Sequence, residues 1–348
     1  MTAEGFAERL LRWHRDHGRH DLPWQHPRSP YRVWLSEVML QQTQVATVVG
    51  YFERFVEALP DLPALASAPL DQVLGLWSGL GYYSRARNLH RCAQLCVEHH
   101  DGELPRAFDL LLALPGIGRS TAGAILAQAH GMPFPILDGN VRRVLARHHG
   151  IAEWPGLPAV EKCLWRLAES HLPDQRLADY TQAQMDLGAR ICTRSKPACL
   201  LCPVAGSCAA HAQGLTALIP APRPRKTTPV RATRMLVLQD AQGRVLLQRR
   251  PPTGVWAELW SLPEAPPDAS IEQVLSSLTA ERPGPAETLP SFRHTFSHYH
   301  LDIQPLRFRE SSPKPAVAEP GLAWLSSEQY RTLGLPAPVR RLLASLPE

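Results

Sequence analysis

The chain's chemical potential is concentrated in a cysteine cluster and in two acids set among apolar residues. Cys192, Cys199, Cys202 and Cys208 are spaced C-x6-C-x2-C-x5-C. Four thiolates this close in sequence can surround one metal centre, the short gap making a chelating turn and the longer gaps looping around it. The pattern fits a four-iron four-sulfur cluster. Zinc is the alternative, although structural zinc sites more often show two short pairs where this segment has one. Arg194, Lys196 and His211 add positive charge beside the loop, which suits a surface facing DNA. Glu37 stands between Leu35 and Met39 in a helical pattern. Desolvation there raises a carboxyl's pKa and keeps it protonated near neutral pH, as a general acid requires. Asp138 precedes a helix beginning near Asn140, and an acid at that point can cap the helix or do chemistry.

Between these two acids runs Leu114-Pro-Gly-Ile-Gly-Arg-Ser-Thr-Ala. Gly116 and Gly118 permit positive φ and leave backbone N–H groups unshielded, so this turn and the following helix N-terminus can hold a phosphate oxygen. A plain helix–helix turn would look similar.

The elements that must position these residues are of two kinds. From Pro30 to about Cys208 apolar residues recur at helical spacing with Gly and Pro punctuation, predicting helices over Gln72–Leu76, Ser84–His99, Phe108–Leu114, Thr121–His130, Val141–His148 and Val160–Ser170, plus one started by Ser29-Pro30. After the proline-rich stretch beginning at Ile219 the period changes. Strands are predicted over Met235–Gln239, Val245–Arg249, Phe292–Phe296, His300–Leu306 and Leu322–Leu325, and helices over Ser270–Leu278 and Pro338–Leu346. The fold class is therefore multidomain: an all-α half over 1–215, a linker over 216–234, and an α+β domain over 235–348. A second proline-rich loop is expected at Ser312–Pro320.

At 348 residues the chain is long enough for two cores. Its 37 Lys+Arg against 32 Asp+Glu, a formal +5, suits a polyanionic partner without requiring one. No segment has the apolar run of a membrane span, and Glu4, Glu8 and Arg9 interrupt any signal-peptide core. Seven cysteines with four crowded together argue for a reducing compartment, hence a cytoplasmic enzyme.

The hairpin, the following Asp138 and the cysteine loop, in this order, resemble the helix-hairpin-helix glycosylase superfamily. Leu22-Pro-Trp-Gln, Glu37-Val-Met-Leu-Gln-Gln-Thr-Gln-Val and Gly79-Leu-Gly-Tyr-Tyr-Ser-Arg-Ala-Arg-Asn-Leu are similar to the adenine DNA glycosylases of the MutY family. The resemblance covers about residues 5–215 and continues more weakly in a Nudix-like C-terminal domain that, in this family, reads 8-oxoguanine. It implies a monomeric base-excision enzyme acting on double-stranded DNA that carries adenine opposite 8-oxoguanine or guanine, with a 4Fe-4S cluster and no membrane association. Glu37 would protonate adenine N7, and Asp138 would stabilise or trap the positive sugar. Ser120 stands where strand-cutting relatives carry a lysine nucleophile; a hydroxyl forms no Schiff base, so base removal without a lyase step is implied. Gln42 with Thr43, and Leu80 with Tyr82, resemble the family's two probes into the helix. The resemblance further places Asn140 at the substrate, Trp24 at the wall of the adenine pocket, Gln182 at the base, and Phe296-Ser297-His298 as the recognition loop.

Three rival readings remain open. A pyrimidine glycosylase with lyase activity would share the helical half, but Ser120 and the long C-terminal domain argue against it. A non-catalytic DNA-binding scaffold leaves Glu37 and Asp138 unexplained. A nucleotide hydrolase would need a magnesium-binding array of several carboxylates; only Glu258 and Glu264 lie in the corresponding stretch, without an Arg-Glu pair.

Overall fold

The computed structural model describes residues 5–224, 227–280, 283–309, 311 and 321–346. The loop expected at Ser312–Pro320 lies outside the described residues, as do Arg225 and Lys226 of the linker. The chain forms two units, Met1–Ser67 with Asn88–Arg225, and Ala68–Arg87 with Lys226–Glu348. Sequence order alone does not reveal that residues 68–87 group with the C-terminal half.

The helices in chain order are α1 (Phe6–His17), α2 (Pro30–Leu40), α3 (Val45–Ala58), α4 (Leu62–Ser67), α5 (Leu70–Leu76), α6 (Ser84–His99), α7 (Phe108–Leu112), α8 (Arg119–His130), α9 (Gly139–His149), α10 (Pro158–Ser170), α11 (Leu177–Asp186) and α12 (Ala209–Ala212). Of these, α5 belongs to the second unit. In the first unit α8 lies against α2, α7 and α11, and α11 in turn packs on α1 and α9. The helix α8 earns this central place by being small and apolar nearly all round, Thr121 to Gln128 being buried without a break. Part of the close approach depends on Gly123: a Cβ there would fall 2.3 Å from the Pro135 carbonyl oxygen. The segment leading to Asp138 can therefore run directly over α8. A core of Phe6, Leu10, Val141, Leu145, Leu164, Trp165 and Tyr180 joins α1, α9, α10 and α11.

The second unit contains β1 (Val230–Leu238), β2 (Val245–Arg249), β3 (Trp260–Ser261), β4 (Glu264–Ala265), α13 (Ile271–Leu278), β5 (Glu287–Thr288), β6 (Phe292–Thr295), β7 (His300–Phe308), β8 (Leu322–Leu325), α14 (Ser327–Arg331) and α15 (Ala337–Ala344). Strand β1 pairs parallel with β7 along its whole length, from Val230 opposite His300 to Leu238 opposite Phe308. A second sheet has the order β3-β2-β8. Successive β1 residues point to opposite faces. Met235 and Val237 join a core with Val339, Leu342 and Leu343 of α15, while Leu236 and Leu238 join another with Leu275 of α13. The strand reads as a continuous apolar run because both faces are covered.

The stretch expected as linker, 216–234, differs from a free tether at both ends. Ile219 is buried in the helical core, and its carbonyl accepts from Arg147 Nε at 2.9 Å. At the far end Val230 to Arg234 belong to β1, because the prolines that would block strand pairing stop at Pro229.

Candidate active site

Glu37 is carried by α2, which begins at Pro30 with Ser29 accepting from the Arg32 N–H at 3.3 Å. Around it Val33, Trp34, Leu35, Val38 and Met39 are buried. Glu37 itself keeps a strip of accessible surface while its carboxyl is enclosed by protein. That enclosure, with the charge of Asp138 nearby, pushes its pKa up to about 8; a hydrogen bond from Gln128 Nε2 at 3.3 Å acts in the opposite sense.

Asp138 caps α9, accepting from the Val141 N–H at 2.8 Å and from Asn140 Nδ2 at 3.2 Å. Burial raises its pKa too, offset by the Val141 and Asn140 donors and by the charge of Arg143. When two carboxylates share a site one of them holds a proton, and the number of donors decides which. Asp138 has several donors and Glu37 one, which favours ionisation at Asp138 and the proton at Glu37. The carboxylate that caps α9 is thus also the one whose charge acts on Glu37.

Helix α9 also connects Asp138 with the cysteine loop. Arg143 donates to Asn140 Oδ1 at 2.9 Å, to the Gly188 carbonyl at 2.7 Å and to the Cys192 carbonyl at 2.7 Å. One turn on, the buried Arg147 donates to Cys192 Sγ at 3.3 Å and to the carbonyls of Thr193 and Arg194. Cys192, Cys199, Cys202 and Cys208 line one cavity with Val144, Leu187 and Val204. The Cys202 thiol is pushed up to about 11, by burial first and also by its three cysteine neighbours. Thiols gathered so closely repel one another when ionised unless a cationic centre binds them, so the donor set suits a multi-iron cluster. Among the described residues no group of three or more His, Cys, Asp or Glu side chains is disposed to hold a single metal ion.

The remaining candidates fall at several places. Ser120 Oγ accepts from the Leu137 N–H at 3.0 Å, which ties the first turn of α8 to the residue before Asp138. Gly116 has φ +79° in the turn between α7 and α8, and Gly118 precedes the first residue of α8. Trp24 is buried, edge-on to Phe52 at 5.4 Å. Gln182 is buried on α11, with its amino group on Asp186. Gln42, exposed just after α2, has φ +60° and is followed by the half-buried Thr43. A left-handed backbone is costly for a residue with a Cβ and clusters at functional sites.

In the second unit Tyr82 shares this property at φ +48° and is exposed, whereas Leu80 is buried. Tyr82, Ser297 and His298 line one groove of about 360 Å³, together with Trp256, His294 and Phe296. Sequence reasoning did not single out Gln128, Arg143, Arg147 or Trp256. Gln128 alone left a trace, as a long polar side chain at a core position of a mostly apolar helix.

Both halves of the chain resemble known proteins. Residues 35–170 match the HhH-GPD superfamily of base excision DNA repair proteins, and residues 234–345 match the NUDIX domain. The adenine DNA glycosylase of Buchnera aphidicola subsp. Acyrthosiphon pisum is 36% identical, over 99% of this chain and 98% of its own. That of Mus musculus is 35% identical over 93% of this chain and 74% of its own. A thermostable thymine-DNA glycosylase structure superposes with a TM-score of 0.55 at 28% identity, covering 60% of this chain and 95% of that one. An endonuclease III–DNA complex, at 23% identity and a TM-score of 0.51, shares the helical fold. With such identity maintained across both halves, the chain belongs to the adenine DNA glycosylase family.

Proposed function

We propose that this protein excises adenine mispaired with 8-oxoguanine, and with guanine, by hydrolysing the N-glycosidic bond, and that it does not cut the strand. The observation carrying this reading is the enclosed carboxyl of Glu37, its pKa pushed up to about 8 by burial and by the charge of Asp138, a carboxylate held by hydrogen bonds from Val141 and Asn140. A flipped adenine leaves as a neutral base only when its ring is protonated. Glu37 delivers that proton at N7, a contribution of roughly 10²- to 10⁴-fold. As the bond to the sugar lengthens, positive charge develops there, and Asp138 stabilises it or traps it covalently before water completes the reaction. Ser120 positions the segment bearing Asp138 through the Leu137 N–H and supplies no amine for strand cleavage.

DNA is held by the Gly116–Gly118 turn and probed by Gln42 and Thr43 and by Tyr82, with Leu80 supporting the second probe from within. Extrusion of the base costs a few kcal/mol, less at a mispair. Trp24 and Gln182 bound the adenine pocket, and Asn140 holds Asp138 in place. Ser297 and His298 read the oxidised partner base. The second unit acts without hydrolysing nucleotides, since Glu258 pairs with Arg249 at 3.2 Å and Glu264 with Arg250 at 2.6 Å. Cys192, Cys199, Cys202 and Cys208 would hold a 4Fe-4S cluster. When bound it neutralises the four thiolates and stiffens the loop, and Arg143 and Arg147 join that loop to α9. The protein works as a monomer. No described helix is long and apolar enough to cross a membrane.

The test is a single-turnover assay on a duplex with adenine opposite 8-oxoguanine, each time point divided between alkaline and neutral quenching, for the wild type and Glu37→Gln. Breaks seen only after alkali, and abolished in the variant, are expected. Equal breaks without alkali would mean a lyase nucleophile, and no breaks at all would favour a DNA-binding scaffold.

A further inference from the structure

Asp186, the last residue of α11, is fully buried and collects donors from two directions. Arg19 gives it a backbone N–H at 2.7 Å and two guanidinium bonds, from Nε at 2.8 Å and Nη2 at 2.6 Å. One helical turn before it, Gln182 donates its side-chain amide to Asp186 Oδ1 at 2.8 Å. A carboxylate engaged by a guanidinium can only accept, so the NH2 end of Gln182 must face Asp186 and the carbonyl oxygen must face away. Among the described residues, that buried oxygen has no hydrogen-bond partner.

Gln25, next to Trp24, repeats the arrangement. Its Nε2 donates to the Arg19 carbonyl at 3.1 Å, and its own buried side-chain oxygen is likewise without a partner among the described residues. Arg19 thus organises both amides, one through Asp186 and one through its own backbone. A buried acceptor without a partner costs about 1–3 kcal/mol, and among the described residues of the helical unit these are the two buried side-chain oxygens left without one, the other unpartnered buried atoms being nitrogens.

We infer that Arg19 and Asp186 are positioning residues that fix Gln182 and Gln25 with their oxygens leading, so that the base pocket presents acceptors to an exocyclic amino group. The inference rests on the reading that Gln182 touches the base. The amino group of adenine carries two hydrogens and satisfies two acceptors. A base with a carbonyl at the same ring position brings a further acceptor and leaves both oxygens unpaired, which is how a hydrogen-bonding site rejects a near-isostere. If the Gln182 amide could turn over, it would donate to that carbonyl and the discrimination would weaken. The Asp186 carboxylate prevents the turn.

The test compares single-turnover excision of adenine and of hypoxanthine opposite 8-oxoguanine in otherwise identical duplexes, with the full-length protein. The readout is the ratio of the two rates, which general loss of structure does not move because it slows both substrates alike. Asp186→Asn offers Gln182 a donor as well as an acceptor. The adenine-to-hypoxanthine ratio is expected to fall about tenfold or more in this variant and in Gln182→Leu, and to fall in Gln25→Leu. Removing one partner of a buried ion pair is destabilising, so if Asp186→Asn does not fold, Asp186→Asn combined with Arg19→Gln replaces it. A ratio that falls in Gln182→Leu but holds in the Asp186 variant overturns the positioning role while leaving the contact between Gln182 and the base standing. A ratio that holds in Gln182→Leu removes that contact and the inference with it, whatever the Asp186 variant does. A ratio that holds in Gln25→Leu overturns the paired-acceptor form.

Discussion

Gln128 of α8 donates its side-chain amide to Glu37 of α2 at 3.3 Å. The bond favours the charged carboxylate and so opposes the burial that keeps Glu37 protonated. In the wild type the single-turnover rate is expected to decline as pH rises through about 8, where Glu37 loses its proton. Gln128→Leu removes the donor and moves that decline to higher pH, with the plateau rate kept within about tenfold. A decline at the same pH in both proteins would show that the amide does not govern the acid.

The same carboxyl makes stability depend on pH. Its folded pKa of about 8 lies above the ordinary 4.5, so the folded state binds the proton more tightly than the unfolded chain. The resulting stabilisation is complete below about pH 4.5 and is lost as pH rises through 8. Glu37→Gln carries no such dependence. In thermal or urea unfolding the variant should gain at least about 1–2 kcal/mol on the wild type between pH 5 and pH 9. Parallel curves would place the proton elsewhere.

Asn140 donates to Asp138 and accepts from Arg143. In Asn140→Ala the carboxylate loses a donor, its pKa rises further, and the acid side of the rate profile moves towards neutral pH. Excision at pH 7 is expected to slow by about tenfold or more. Affinity for a duplex carrying a non-cleavable adenine analogue, measured in parallel, should change much less than the rate.

Arg147→Met leaves Cys192 Sγ and the carbonyls of Thr193, Arg194 and Ile219 without their shared donor. The expected cost is about 2–4 kcal/mol of stability. Iron content and visible absorbance of the purified variant, followed on mild heating, should fall earlier than in the wild type. Equal retention would separate the arginine from the integrity of the loop.

Ser297→Ala combined with His298→Ala removes two polar side chains from the groove that also holds Tyr82. Preference for 8-oxoguanine over guanine opposite adenine should drop by roughly tenfold, about one lost hydrogen bond, while adenine is still excised. Unchanged preference would assign the reading of the oxidised base to other residues.

Much of this fold is legible in the sequence where local rules and tertiary packing agree. Helix α6 runs over Ser84–His99, β2 over Val245–Arg249 and β8 over Leu322–Leu325, the spans their periodicity predicts. Three of the helices that sequence reading did not delimit lack a side-chain N-cap, whereas α14 starts at a Ser326 capping box and is only five residues long. Gly5, Gln44 and Arg176 precede α1, α3 and α11 without a side-chain cap bond, and Arg176 is itself left-handed. The site divides similarly. Glu37 stood out by its apolar flanks, and Asp138 by its place before a helix. Gln128 on Glu37 and Arg19 on Asp186 did not, because no periodicity relates residues that meet only after helices from distant parts of the chain have packed.

The grouping of residues 68–87 with the C-terminal half bears on how the protein is made. A Cβ at Gly334 would lie 2.7 Å from that of Leu74, so α5 and the chain before α15 meet closely. The ribosome releases α5 long before it releases these partners. The helical unit can close its core as soon as Arg225 has emerged, while Val73, Leu74 and Trp77 wait for surfaces not yet translated. Until then their apolar side chains stay uncovered, and a nick in the linker of the finished protein would not yield two fragments that are each complete.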